Sequence, residues 1–157
     1  MGVTTTAYSV SDKMMKKVRT DNANLAYIFG ECDESEVWQV DNHSFERIDS
    51  YISILHAAGC EKTAKSIDSG DHSLDEFDYD SDVWTVMPAG VKAMVSELHK
   101  ADLISLKTDM YGEPITDGWG KALLASELES YLGDFDGVKE FLNKAAEQGN
   151  YLILSEG

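Results

Sequence analysis

Short apolar stretches without helix-type spacing occur at three places in this chain, and they predict strands. Residues 3–8 are β-branched or aromatic except for Ala7 and lack a breaker, which is typical of a first strand. Residues 83–86 predict a second strand, and the apolar residues 151–154 predict a closing one. Because every strand needs a partner for its backbone groups, we expect the two terminal strands to pair with each other.

Apolar positions three and four residues apart predict helices over much of the remaining chain. The last third of the sequence favours two consecutive helices, 121–132 and 134–148. N-capping hydroxyls, a proline suited to a first helical position and glycines suited to a helix end mark the other boundaries. Ser11, Ser44 and Pro88 mark predicted starts, and Gly30 and Gly59 mark predicted ends.

These elements predict an α+β fold, mostly helical, with a small sheet that pairs the N-terminal and C-terminal strands. The chain has 157 residues with 43% hydrophobic and 27% charged residues, which is typical of one globular domain spanning 1–157. We expect Cys32 and Cys60 to be free thiols. No secretory segment and no apolar run near the ~18 residues of a membrane span is found, so we expect a cytoplasmic protein.

Charge limits the partners that the protein is expected to bind. The sequence holds 29 acidic against 13 basic residues, a formal net charge of -16, which repels nucleic acids and anionic membranes and attracts basic surfaces. The stretch 66–90 contains no Lys or Arg and is expected to form an irregular loop or a broken short helix. Its acids, with the Trp84 that follows them, predict a binding face: Asp68, Asp71, Asp75, Glu76, Asp78, Asp80 and Asp82.

Several segments resemble the bacterial YfbM-like family. Residues 48–59, Ile-Asp-Ser-Tyr-Ile-Ser-Ile-Leu-His-Ala-Ala-Gly, are similar to its Asp-x-x-Trp-x-x-Leu-His-x-x-Leu-Thr-Gly segment, with Tyr51 at the usual Trp. Residues 70–74, Gly-Asp-His-Ser-Leu, resemble its Gly-Glu-His-Ser-Leu segment, and 145–150 resemble the family's ending. The resemblance implies an α+β fold over nearly the whole chain. It implies no reaction and no catalytic residues, because the family is a domain of unknown function.

Weak candidates for chemistry are His56, Asp71 and His72. Two imidazoles and a carboxylate could share protons or hold a divalent metal if His72 folded back over the helix that carries His56. Alternatively, His56 sits at the edge of an apolar stripe and is held by one hydrogen bond. Asp78 to Asp82 begin like a calcium-binding loop, but Val83 replaces its required glycine, so no metal site is predicted. No phosphate or dinucleotide motif occurs, so we expect no cofactor.

Three hypotheses for the function follow. The first is a non-enzymatic binding or inhibitory protein whose acidic face docks on a basic protein. The second is a small enzyme, or a metal- or ligand-binding domain, that uses a pocket formed by His56, Asp71 and His72. The third is a homo-oligomer in which tryptophan and tyrosine residues make the contact.

Overall fold

The described part of the chain forms one antiparallel sheet of five strands. The computed structural model describes residues 4–30, 40–70, 72–73, 82–103, 106, 115–117 and 120–156, and for 72, 73 and 82 it describes the backbone alone. The strand order is β2-β1-β5-β4-β3, so the terminal strands β1 and β5 pair as expected. The strands are β1 (Thr4–Val10), β2 (Asn42–Glu46), β3 (His72–Ser73), β4 (Asp82–Val86) and β5 (Tyr151–Glu156).

Six α-helices and one 3-10 turn, Asn22–Asn24, accompany the sheet in the described ranges, which confirms the predicted α+β class. None of the described helices is both long and apolar enough to cross a lipid bilayer. The helices are α1 (Asp12–Thr20), α2 (Leu25–Phe29), α3 (Ile48–Ala57), α4 (Glu61–Asp68), α5 (Pro88–Lys100) and α6 (Ala125–Glu147).

Both faces of the sheet are covered, because side chains alternate between the faces along each strand. In β5, Leu152 and Leu154 join a large core with helices α3 to α6. The alternate residues Tyr151 and Ile153 join a smaller core with α1 and α2 on the opposite face. The sheet is therefore a central layer between a thick and a thin helical layer.

The region around Ser44 corrects one prediction, because Ser44 lies in strand β2 and does not begin a helix. Phe45 is buried between exposed neighbours, which is the alternation of an edge strand, and the Ser44 hydroxyl lies 3.0 Å from that of Thr6 on β1. Arg47 then takes a left-handed conformation, φ 56°, and α3 begins at Ile48. The Phe45 and Ile48 spacing suggested one helix, although a turn separates the two residues.

Helix α6 corrects a second prediction, because it runs unbroken through Gly133 where two helices were expected. A glycine inside a helix costs only about 1 kcal/mol, and the buried face on both sides of it outweighs that cost. At Gly137 a Cβ would lie 3.4 Å from Cε1 of His43 on β2, which is a van der Waals contact distance. The helix thus packs closely against the edge strand.

Helix α4 was not predicted, and its N-terminus is capped from a distance. Its N-cap residue, Cys60, makes no side-chain capping bond. The carboxylate of Glu97 on α5 instead accepts hydrogen bonds from the backbone N–H groups of Lys62, at 3.2 Å, and Thr63, at 2.7 Å. A carboxylate at a helix N-terminus also complements the helix dipole. This cap ties α4 to α5 across 34 residues of sequence.

Candidate functional site

A groove of about 710 Å³ lies between the edge strand β2, the turn that follows it, and the N-terminal half of α6. Among the described residues β2 pairs with β1 on one side only, and its other edge lies next to this groove. The lining is polar and aromatic, and it combines hydroxyl, carboxylate and guanidinium groups. The lining residues are Ser44, Glu46, Arg47, Tyr51, Ser126, Glu127, Ser130, Tyr131 and Asp134.

A hydrogen-bonded triad joins three elements at the base of this groove. The Tyr51 hydroxyl on α3 donates to Oδ2 of Asp134 on α6 over 2.6 Å, and Nε2 of His43 on β2 lies 3.2 Å from the same oxygen. Burial, and then the bond to Asp134, raise the pKa of Tyr51 far above its ordinary value, so the hydroxyl stays protonated and donates. Asp134 is therefore held in a fixed orientation.

Aromatic rings in edge-to-face contact surround Tyr51 and His43 of the triad. The Tyr51 ring meets Phe45, Phe135 and Tyr131 edge-on, with centroids 5.2, 5.5 and 5.0 Å away. The His43 ring packs on Phe45 at 5.0 Å. Because edge-to-face aromatic packing is directional, these contacts make a rigid wall for the groove.

The charge of the groove is predominantly negative. Glu46, Glu127 and Asp134 line it, against a single base, Arg47. Within the described ranges neither a Lys nor an Arg side chain pairs with any of these three carboxylates. Oδ1 of Asp134 makes no hydrogen bond to a described residue, whereas its Oδ2 accepts from Tyr51. Such a site can receive an ammonium or guanidinium group, which carboxylates bind directly and tyrosine faces attract.

The histidine candidates from the sequence lie elsewhere. His56 is exposed near the end of α3, and its Nδ1 lies 2.7 Å from the Glu61 carboxylate at the start of α4. His72 lies in β3, beyond the other end of α4, a helix whose eight residues measure about 12 Å. Asp71 and the side chain of His72 are outside the described residues. Among the described residues, no group of three or more His, Cys, Asp or Glu is arranged to hold a metal ion.

Most of the predicted acidic face belongs to a segment that the structure does not describe. Asp71, Asp75, Glu76, Asp78 and Asp80 lie outside the described residues. Asp82 is described through its backbone, which pairs with Glu156 at the end of β5. Trp84 is 9% exposed and belongs to the larger core, so the structure places it in the interior and not on a docking face.

The sequence analysis did not predict the groove, because residues that are far apart in the sequence form it. His43 and Asp134 are 91 residues apart, and Tyr51 is 83 residues from Asp134. One local signal was present, since an aspartate next to the buried Phe135 falls at the border of the apolar stripe of α6. A polar residue at such a border often has a specific hydrogen-bond partner, but the sequence does not identify that partner.

Cys60 is a buried thiol, and we expect it to be unreactive in the native protein. Burial, with Glu97 as a smaller cause, raises its pKa to about 11, against an ordinary value of ~8.5. In a Cys32→Ser variant, which leaves Cys60 as the only thiol, a disulfide reagent at pH 8 should react at least about 100-fold more slowly with the native protein than with the urea-unfolded chain. Equal rates would contradict this assignment.

The raised pKa of Cys60 also predicts how the free energy of unfolding depends on pH. As the pH rises through the range from ~8.5 to about 11, the unfolded chain loses the thiol proton before the folded chain does. Cys60 therefore lowers the free energy of unfolding over this range, and Tyr51, whose pKa is also raised, acts in the same direction at higher pH.

Together these features define a small α+β domain with a carboxylate- and tyrosine-lined groove at one edge of its sheet. The chain belongs to the family described as "Domain of unknown function (DUF1877)", which matches residues 1–155. This confirms the resemblance seen in the sequence.

The fold is also similar to a solved structure. The crystal structure of a protein of unknown function, YfbM from Escherichia coli, matches with a TM-score of 0.59 and 11% identity, covering 98% of this chain and 99% of that chain. At this identity the likeness shows the fold alone. No curated protein matches the sequence.

Proposed function

We propose that this protein is a non-enzymatic binding protein that docks on a basic protein partner, and that the groove beside β2 receives a lysine or arginine side chain of that partner. The observation that carries the proposal is the fixed orientation of Asp134, which Tyr51 holds through Oδ2, while its Oδ1 has no hydrogen-bond partner in the described part of the chain and can accept from a cation. Preorganised acceptors bind a charged donor more tightly than mobile ones, because less side-chain entropy is lost.

The electrostatics of the chain support a cationic partner. The net charge of -16 favours encounter with a positive surface over long range, and the groove carboxylates provide short-range contacts where that surface arrives. The acidic residues Asp71, Asp75, Glu76, Asp78, Asp80 and Asp82 stay a predicted second contact surface of the same sign.

Binding of a decalysine peptide tests this proposal. We expect affinity to fall steeply as ionic strength rises from about 0.01 M to 0.15 M, since the screening length shortens from about 30 to 8 Å. A Glu46→Gln/Glu127→Gln variant should lose about tenfold in affinity, because each groove carboxylate contributes a partly desolvated ion pair. Fluorescence anisotropy of a labelled peptide measures both effects.

A matched control separates the effect of the groove carboxylates on affinity from the effect of the overall negative charge. Glu129 and Asp136 are exposed on α6 and do not line the groove, so Glu129→Gln/Asp136→Asn removes the same two charges elsewhere on the helix. This control should change affinity by less than about threefold. Equal losses in the two variants, or no binding of decalysine at low salt, would overturn the proposal.

A further inference from the structure

Strand β2 is an edge strand of the sheet that the described residues form, and its outward backbone groups lie beside the groove. The Ser9 N–H donates to the Asp41 carbonyl at 2.8 Å, in the same register that pairs Ala7 with His43 and Thr5 with Phe45. In an antiparallel pair, residues at every second position turn both backbone groups toward the partner strand. Asp41, His43 and Phe45 therefore face β1.

The alternate residues of β2 turn their N–H and C=O groups away from the sheet. Ser44 and Glu46 are two of these residues, and both line the groove. The outward N–H and C=O of Ser44 have no hydrogen-bond partner among the described residues. An unpaired strand edge beside a helix is a template on which an extended segment can add as another strand.

We propose that the groove binds an extended segment of the partner as a sixth strand, antiparallel or parallel to β2, with a lysine or arginine of that segment directed at Asp134. This inference rests on the proposed function and adds to it the backbone conformation of the bound segment. Side chains of an added strand alternate between the two sheet faces, so every second one points toward α6, where Tyr131 and Asp134 lie. Backbone hydrogen bonds to Ser44 then provide affinity, and the Asp134 carboxylate on α6 provides the preference for a cationic side chain.

The charge of the chain argues for a partner and against a second copy of the protein in this groove. Two copies would each bring a net charge of -16, and pairing their β2 edges would place both sets of groove carboxylates close together. A basic segment meets three carboxylates and one arginine, so its charge is complementary.

Hydrogen exchange with a short blocked peptide tests the geometry. The probe is Thr-Val-Lys-Val-Thr with acetyl and amide ends, and each backbone amide of the protein is followed by NMR. On saturation we expect the Ser44 amide, which faces outward, to exchange at least about tenfold more slowly. The amides of His43 and Phe45 already face β1 and should change little.

N-methylation of the probe separates the contribution of backbone hydrogen bonds to affinity from the contribution of the lysine charge. A peptide methylated at alternate backbone nitrogens keeps its lysine but loses its donors to β2, and its affinity should fall about tenfold or more. If methylated and unmethylated peptides bind equally while the groove variant still binds decalysine weakly, strand addition is wrong and the proposed function stands. If Ser44 is protected without peptide, in proportion to protein concentration, a second copy occupies the edge and strand addition by a partner is overturned.

Discussion

Replacing Gly70 by alanine should lower the free energy of unfolding by about 2–5 kcal/mol. Gly70 follows α4 with φ +64°, a left-handed conformation that an alanine adopts only at a cost. A Cβ would also overlap the Thr85 carbonyl oxygen and lie 2.7 Å from Cδ1 of Trp84, both in strand β4, which lies between β5 and β3. Strand β4 is held by β5, so neither atom can move away easily. Urea denaturation measures the loss.

Gly149 supplies the control for this prediction. It has nearly the same φ, +67°, but a Cβ there would meet nothing within 4 Å. Gly149→Ala should therefore cost only the backbone conformation, about 1–2 kcal/mol. Similar losses for the two variants would show that the close packing of Gly70 on β4 is not present in solution.

Truncating the Tyr51 side chain should lower the free energy of unfolding by about as much as Gly70→Ala does. Tyr51 is 5% exposed and packs edge-on against three rings, so Tyr51→Ala should lower the free energy of unfolding by about 3–5 kcal/mol. Tyr51→Phe keeps the ring and removes only the 2.6 Å hydrogen bond to Asp134, and it should cost about 1–2 kcal/mol. Thermal and urea unfolding of both variants give the two values.

The two Tyr51 variants also report on the groove. If the hydroxyl orients Asp134, Tyr51→Phe should weaken decalysine binding although the fold persists, since the freed carboxylate samples more orientations. A Tyr51→Ala loss below about 1 kcal/mol would mean that the ring is not buried as described.

Local patterns predicted the strands β1, β4 and β5 and the starts of helices α1 and α5. The apolar stretch 151–154, the Ser11 hydroxyl that accepts from the Met14 N–H at 3.2 Å, and Pro88 at the first turn of α5 all lie as expected. In each case the information is contained within a few residues, because capping and strand propensity depend on near neighbours. The pairing of the terminal strands followed from their need for hydrogen-bond partners.

The predictions were wrong where a contact with a residue far away in the sequence determines the local structure. Strand β2 is a strand because β1 pairs with it, and the α4 N-terminus is satisfied by Glu97 from α5. The segment 70–74 was noted because it resembles a family motif. The physical reason for the glycine at position 70 is its close approach to β4, which is visible only in the folded sheet. The candidate site likewise depends on the pairing of Tyr51 with Asp134. A sequence pattern contains no such information.

Mapping decalysine contacts by NMR titration tests the central claim most directly. At low ionic strength, backbone chemical-shift changes should be largest for the groove residues Ser44, Glu46, Tyr131 and Asp134 and small for Glu129 and Asp136 on the same helix. Shifts spread evenly over the exposed acids, or concentrated away from β2 and α6, would contradict the assignment of this groove as the binding site.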